Sequence, residues 1–113
     1  MMAQANPIRV FVIDDHEVVQ QGIAALLSTS RMTVVGKSPS GEQAIEFCRE
    51  LQPDVILLDI RLQDGEDGLR FIKPLRETCP NCKVIAFTAF NSPTAIARAA
   101  AAGATDFILK TTN

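Results

Sequence analysis

The sequence lacks an excess of positive charge. Its 113 residues carry 11 Lys and Arg against 13 Asp and Glu, which gives a formal net charge of -2 at pH 7. Nucleic acids and anionic lipid surfaces are attracted by strong cationic fields, and this composition does not supply one. We therefore predict that the chain binds neither nucleic acid nor a membrane surface directly.

Features of secreted and membrane proteins are also scarce. The first seven residues have neither the basic flank nor the apolar core of a signal peptide, and no apolar run approaches the roughly 20 residues of a spanning helix. Three cysteines are an odd number in a chain long enough to fold around one core without disulfides, so we expect reduced thiols. These absences predict one cytoplasmic domain that covers residues 1–113.

What the sequence does contain is a series of short apolar runs. The run Val55–Ile60 places four large apolar residues directly before Asp59, which is typical of a parallel strand buried on both faces. Four further strands are predicted at Ile8–Ile13, Met32–Lys37, Lys83–Phe87 and Phe107–Leu109.

Helical patterns separate these strands. Four helices are predicted, at Glu17–Leu27, from Ser40 to before Pro53, around Leu69, Ile72 and Leu75, and from Pro93 to Gly103. The second opens with a capping box formed by Ser40 and Gln43, and its apolar face includes Ala44 and Phe47. Pro74 lies inside the third, which predicts a kink or a weakened middle there.

The alternation of strands and helices predicts an α/β fold. Parallel neighbours need crossover connections, so we expect a flavodoxin-like, doubly wound sheet of five parallel strands in the order 2-1-3-4-5, in three layers. Only Thr111–Asn113 follow Lys110, so a fifth helix over strands four and five is absent from the sequence. We expect the apolar patch left there to be covered by a continuation of a longer regulator, by a displaced segment, or by a second copy in a homodimer.

Reactive side chains follow four of the five predicted strands. Asp14 and Asp15 follow the first, Asp59 ends the third, Thr88 follows the fourth and Lys110 the fifth. Since the first and third strands are neighbours at the switch point of this fold, three carboxylates converge there. At about 4 Å and an effective dielectric constant near 20, each like-charged pair repels by roughly 4 kcal/mol. The cluster must therefore take up protons or bind a cation.

The ligand types favour a hard cation. Oxygen ligands, without cysteine and with a single histidine in the chain, favour Mg²⁺, which keeps several waters and bridges carboxylate to phosphate. A carboxylate beside Mg²⁺ and Lys110 is suited to attack phosphorus, so Asp59 is the candidate nucleophile and an aspartyl phosphate the product. Thr88 is placed to donate its hydroxyl to a phosphoryl oxygen.

Along essentially its whole length the chain resembles the receiver domain of two-component response regulators, which has a CheY-like fold. Asp14 and Asp15 are similar to the acidic pair of that family, Asp59 to its phosphoacceptor, Thr88 to its switch threonine and Lys110 to its lysine. The resemblance implies that Asp15 and Asp59 bind Mg²⁺ directly and that Asp14 acts largely through water.

Further positions follow from the same resemblance. The backbone carbonyl of Arg61 would be the remaining protein ligand of Mg²⁺, and Phe107 would be the switch aromatic. Arg61 and Phe90 would flank the phosphoryl group, which implies slow hydrolysis of the phosphate. The runs Asp14–His16 and Gln21–Ile23 are most similar to the NarL/FixJ-type subfamily.

The resemblance also implies partners and an output. A sensor histidine kinase would supply the phosphoryl group, and the domain's own chemistry would be limited to self-catalysed phosphotransfer and dephosphorylation. Members of the subfamily usually regulate transcription through a C-terminal helix-turn-helix domain, and that output domain is not in the sequence.

Three other functions are alternatives. A flavin- or nucleotide-binding protein would present glycines rather than acids after the first strand. An aspartate-nucleophile phosphatase would resemble a motif with a second acid where Arg61 stands. A non-phosphorylated protein-interaction module stays open, because the loop after Asp59 is one residue longer than usual and has Gln63 in place of a proline. Cys79 and Cys82 have redox spacing, but they follow a helix, so we predict no redox or zinc site.

Overall fold

The computed structural model describes residues 7–14, 31–60, 68–88 and 93–109. Five parallel strands in these ranges form one sheet, namely β1 (Ile8–Ile13), β2 (Met32–Ser38), β3 (Val55–Asp59), β4 (Lys83–Thr88) and β5 (Asp106–Leu109). Their order is β2-β1-β3-β4-β5, which confirms the predicted flavodoxin-like sheet. The first predicted helix, Glu17–Leu27, lies outside the described residues.

Helix α1 (Gly41–Leu51) connects β2 to β3. Its N-cap is Ser40, whose side chain accepts a hydrogen bond from the backbone N–H of Gln43, as the capping box predicts. It ends at Gln52, which adopts the left-handed conformation with φ 46°. This residue closes the helix without the glycine that usually takes that conformation.

The third predicted helix begins later than its apolar pattern suggests. Residues Gly68–Phe71 form a 3-10 helix, and the α-helical part, α2 (Ile72–Thr78), starts only after them. Pro74 is therefore the third residue of α2 and lies in its first turn, where backbone N–H groups have no partner within a helix. The predicted mid-helix kink is replaced by this change of helix type ahead of the proline.

Helix α3 (Pro93–Ala102) connects β4 to β5, as predicted. Gly103 ends it with φ 106°, a value that side chains rarely tolerate. The next residues return to the sheet, because the backbone N–H of Thr105 donates to the carbonyl of Val84 at 2.7 Å.

The described helices pack on one face of the sheet. The buried cluster on that face contains strand residues Phe11, Ile13, Ile56, Leu58, Val84 and Ala86, and helix residues Ala44, Cys48, Phe71, Ile72 and Leu75. On the other face Val55 and Leu57 are only half-buried, so the prediction that this strand is buried on both faces is wrong for that side. Val10 and Val12 of β1, which pair with Val55 and Leu57, are buried on that face, so its cover decreases from β1 to β3.

Phe47 departs from the predicted apolar face of α1. Its side chain is 46% exposed, whereas Ala44 and Cys48 beside it are fully buried. The ring lies at the rim of the core, 6.2 Å from the buried ring of Phe11. Periodicity placed Phe47 on the correct side of the helix, but β2 is the edge of the sheet and leaves that side partly open.

The amino-terminal end of the sheet is fastened by polar contacts. The guanidinium of Arg9 donates to the backbone carbonyls of Leu51 and Gln52, at 2.7 Å each, and thus caps the carboxyl end of α1. The backbone N–H of Arg9 donates to the carboxylate of Asp54 at 2.9 Å. The amide of Gln52 donates to the carbonyl of Thr78 at 3.1 Å, which links α1 to α2.

All three cysteines lie buried at this same end, and all three are free. The thiol of Cys79 donates to the carbonyl of Cys48 at 3.3 Å, and the thiol of Cys82 to the carbonyl of Lys83 at 3.6 Å. Burial raises the pKa of Cys48 and of Cys82 to about 12. We call these cysteines, with Arg9, Gln52 and Asp54, the anchored end.

Candidate functional site

Asp59 is the last residue of β3 and is 3% exposed. Ile56 and Leu58 before it are fully buried, so the strand carries the carboxylate out of the core at its carboxyl end. In the register of β3 with β4, Asp59 pairs with Phe87. The structure thus places the predicted nucleophile at the edge of the sheet where ligands bind in this class of fold.

Asp14 lies beside it. It follows β1 directly, and it is fully buried. Ile13 pairs with Leu58 across β1 and β3, so the next residue on each strand, Asp14 and Asp59, continue that pairing at the usual strand spacing of about 4.8 Å. The backbones of Asp14 and Asp59 therefore lie next to each other at the switch point. The third carboxylate of the predicted cluster, Asp15, lies outside the described residues.

The backbone of Asp14 is held by the end of β2. Its N–H donates to the carbonyl of Ser38 at 3.0 Å. Ser38 is itself buried, and its hydroxyl both donates to the carbonyl of Ser40 and accepts from its N–H, at 2.8 and 3.2 Å. The connection from β2 to α1 thus supports the acidic residue from the side.

Two adjacent buried carboxylates strongly constrain the chemistry of the site. Burial carries a desolvation cost for each carboxylate, and a second carboxylate nearby adds repulsion that a bound cation would offset. Carboxylate oxygens are ligands for hard ions such as Mg²⁺, so Asp14 and Asp59 fit the predicted metal. Among the residues that the structure describes, no group of three His, Cys, Asp or Glu side chains could hold a metal ion. Asp15 and Arg61, which would complete the set, lie outside them.

The remaining predicted residues follow the same edge. Thr88 is the last residue of β4 and pairs with Leu109, the last residue of β5, which directly precedes Lys110. Phe107 lies within β5 and pairs with Ala86. The structure describes the backbone of Thr88 and Phe107 but not their side chains, and Lys110 is outside the described ranges.

A hydrogen bond joins Ile60, the residue after Asp59, to Gly68. Ile60 donates its N–H to the carbonyl of Phe87 at 3.2 Å, and its own carbonyl accepts the N–H of Gly68 at 2.8 Å. A Cβ atom on Gly68 would overlap the backbone carbonyl oxygen of Asp59.

Ser38 and Gly68 are the supporting residues that the sequence patterns did not single out. The second strand was predicted to end at Lys37, one residue short of Ser38, because the run there becomes polar. A glycine just before an apolar helical pattern was the available signal, but its contact with Asp59 depends on the folded loop.

Comparison with known proteins places the chain in a family. A sequence family described as the response regulator receiver domain matches residues 10–113. The response regulator protein VraR of Staphylococcus saprophyticus subsp. saprophyticus is 43% identical over 108 residues, which cover 95% of this chain and 51% of that protein. The chain thus spans about half the length of the curated relatives it matches.

Solved structures agree with the sequence match. The signal receiver domain of NarL from Mycobacterium tuberculosis has a TM-score of 0.86 and 33% identity, covering 96% of this chain and 88% of that one. A response regulator protein from Burkholderia pseudomallei, solved with a phosphorylated aspartic acid, a calcium ion and citrate, has a TM-score of 0.83 and 25% identity, covering 93% and 61%. None of the described helices is long and apolar enough to cross a membrane. The buried acidic pair, the strand order and these matches together identify the chain as a member of the response regulator receiver domain family.

Proposed function

We propose that this domain receives a phosphoryl group on the carboxylate of Asp59 from the phosphorylated histidine of a sensor kinase. The observation that carries the proposal is the pair of buried carboxylates, Asp14 and Asp59, on adjacent parallel strands. Such a pair adds nothing to packing and costs desolvation and repulsion. Buried titratable groups arranged in this way are expected where they act on a ligand.

In the proposed reaction, an oxygen of the Asp59 carboxylate attacks the phosphorus atom. An O–P bond forms, the N–P bond of the phosphohistidine breaks, and the histidine nitrogen leaves with the electron pair. The product is a mixed anhydride between carboxylate and phosphate. Asp59 is suited to this role because β3 fixes its backbone and its burial limits access of competing water.

The proposed cofactor is Mg²⁺, with Asp15, Asp59 and the backbone carbonyl of Arg61 as direct ligands and Asp14 acting largely through water. When bound, the ion supplies positive charge that offsets the charge of the phosphoryl oxygens. The hard oxygen atoms of Asp14 and Asp59 support this choice. The calcium ion and phosphorylated aspartic acid of the Burkholderia pseudomallei protein also support a hard divalent cation in this family.

Three residues would convert phosphorylation into a change of conformation, namely Thr88 at the end of β4, Phe107 in β5 and Lys110 directly after β5. Lys110 would pair with a phosphoryl oxygen, and the Thr88 hydroxyl would donate a hydrogen bond to another, with Phe107 moving inward behind it. A hydrogen bond to a charged group contributes roughly 1.5–3 kcal/mol, which can shift a two-state equilibrium about 10- to 100-fold. The position of Thr88 at the end of β4, next to the strand of Asp59, supports this coupling.

The proposed biological role is regulation of an output by the phosphorylated domain. We propose that residues 1–113 form a receiver domain that controls transcription through an output domain, with self-catalysed phosphotransfer and dephosphorylation as its only chemistry. A homodimer, in which a second copy covers the apolar patch over strands four and five, belongs to the same proposal. Support comes from the relatives, which are response regulators about twice as long as this chain.

The test is phosphorylation by a small donor that needs no kinase. The chain is incubated with Mg²⁺ and acetyl phosphate, and its intact mass is measured. We expect a gain of one phosphoryl group that is lost on mild base treatment, and no gain in Asp59→Asn. An equal gain in Asp59→Asn would place the nucleophile elsewhere, and no gain in the natural chain would favour the non-phosphorylated interaction module.

A further inference from the structure

The backbone on the carboxyl side of Asp59 is held by two hydrogen bonds of Ile60. Its N–H is bound by the carbonyl of Phe87 on β4, and its carbonyl accepts the N–H of Gly68. The hydrogen bond to Phe87 continues the pairing of β3 with β4, whereas the hydrogen bond from Gly68 comes from the residue that follows the loop 61–67. The backbone next to Asp59 is therefore fixed by β4 through its N–H and by Gly68 through its carbonyl.

Gly68 approaches this backbone too closely for any side chain. A Cβ atom there would overlap the carbonyl oxygen of Asp59 and come within 3.2 Å of its carbonyl carbon and 3.1 Å of the Cα of Ile60. All three neighbours are backbone atoms, so no flexible side chain can move aside. Gly68 is itself buried and begins the 3-10 helix, so it cannot easily retreat either.

We propose that Gly68 is a positioning residue for the reaction at Asp59. By lying against the Asp59 carbonyl and binding the Ile60 carbonyl, it sets the direction in which β3 ends. Asp59 is both the proposed nucleophile and a proposed ligand of Mg²⁺. A methyl group on Gly68 would push the backbone of Asp59 away from its place, without removing any reacting group. This inference rests on the proposed phosphoryl transfer to Asp59.

The chain offers a matched control for the general cost of replacing a glycine. Gly103 has φ 106°, a backbone conformation that alanine adopts only with strain, so Gly103→Ala also lowers stability. It lies between α3 and β5, at the anchored end of the sheet, and the nearest side chains to its added Cβ are Arg76 at 3.5 Å and Ile72 at 3.7 Å. Asp59 is not among the neighbours of this added Cβ atom.

The experiment compares Gly68→Ala, Gly103→Ala and the natural chain. Rates of phosphorylation by acetyl phosphate are measured by intact mass, and the Mg²⁺ dissociation constant by titration of backbone amide signals in NMR spectra. Both quantities are expressed per folded molecule, with sucrose added to favour the folded state. We expect Gly68→Ala to phosphorylate about 10- to 100-fold more slowly and to bind Mg²⁺ at least about 10-fold more weakly, as for other losses of support to a metal ligand. Gly103→Ala should have a lower melting temperature, but its phosphorylation rate and its Mg²⁺ dissociation constant should stay within about twofold of the natural chain.

Each contrary outcome has a distinct meaning. A folded Gly68→Ala with the natural rate and Mg²⁺ affinity would overturn the positioning role and leave the proposed function intact. A Gly68→Ala that stays unfolded in sucrose, where Gly103→Ala folds, would also overturn it, because Gly68 would then serve folding alone. Absence of phosphorylation in the natural chain would overturn the proposed function itself, and the positioning role with it.

Discussion

The two ends of the sheet are built for opposite purposes. At the anchored end, charged and polar groups are tied to backbone atoms of other elements, as when Arg9 caps α1 and Gln52 reaches α2. Burial raises the pKa of the Cys48 and Cys82 thiols there, which keeps both thiols neutral. At the other end, two carboxylates are buried side by side. The first arrangement stabilises the fold, whereas burial and mutual repulsion of the acids in the second oppose folding. It is at this second end that we propose a cation and a phosphoryl group bind.

The largest effect that we expect from the anchored end is a loss of stability at alkaline pH. Burial raises the pKa of Cys48 and of Cys82 from the ordinary 9.0 to about 12, so the folded chain holds these protons longer than the unfolded chain. Stability is therefore fully present below about pH 9 and falls as pH rises toward 12. For each thiol the loss approaches about 1.4 kcal/mol per pH unit in that window.

Chemical denaturation at several pH values measures this loss. Cys48→Ala should be less stable than the natural chain at every pH. Above pH 9 its free energy of unfolding should fall less steeply with pH, because one thiol's contribution is removed. Below pH 9 the pH dependence of the two chains should be nearly the same. A pH dependence in the variant equal to that of the natural chain would mean that Cys48 ionises as easily folded as unfolded. Burial at the anchored end would then not stabilise the neutral thiol, and this part of the comparison between the two ends would fail.

A smaller effect separates the two ends along a single strand. Arg9 is the second residue of β1 and Asp14 follows the end of that strand, about 17 Å away at the usual rise per residue. Arg9→Met keeps an apolar stem but removes both hydrogen bonds to the end of α1. We expect unfolding by denaturant to show a loss of about 1–3 kcal/mol, since these bonds involve a charged donor.

The same variant should leave the chemistry unchanged. Because Asp14 is held by Ser38 rather than by α1's end, phosphorylation of folded Arg9→Met by acetyl phosphate should proceed at the natural rate. Arg9→Lys is the control that keeps the charge, and it should recover part of the lost stability. If the phosphorylation rate of Arg9→Met fell together with its free energy of unfolding, the two ends of the sheet would be coupled. The distinction between an end that stabilises the fold and an end that carries the chemistry would then be wrong.

Local patterns in the sequence were sufficient for much of the fold. The alternation of apolar runs and helical patterns predicted the strands and their order, and the capping box at Ser40 predicted the start of α1. The predicted carboxylates Asp14 and Asp59 do lie at adjacent strand ends. These successes share a cause, because strand exits and helix caps are determined by residues a few positions apart.

Contacts between distant parts of the chain could not be predicted in this way. Arg9 caps a helix whose end is 42 and 43 residues further on, and no local pattern indicates it. Gln52 takes a left-handed conformation usual for glycine, supported by its bond to Thr78 on another helix. Position 68 must be glycine because the carbonyl oxygen of Asp59 lies against it, and that contact forms only in the folded chain. Each of these depends on the packing of complete elements.

The most direct test of the contrast between the two ends is the unfolding free energy with and without Mg²⁺, measured for the natural chain and for Asp59→Asn. We predict that the natural chain gains stability with Mg²⁺, by about 2.7 kcal/mol when the ion is at a hundred times its dissociation constant. Asp59→Asn, which has nearly the same shape and lacks the charge, should gain far less. Without Mg²⁺ it should be at least as stable as the natural chain, because the repulsion with Asp14 is removed. The account would be contradicted if Asp59→Asn were less stable than the natural chain without Mg²⁺ and gained as much unfolding free energy from the ion. The carboxylate of Asp59 would then neither destabilise the fold nor bind the cation.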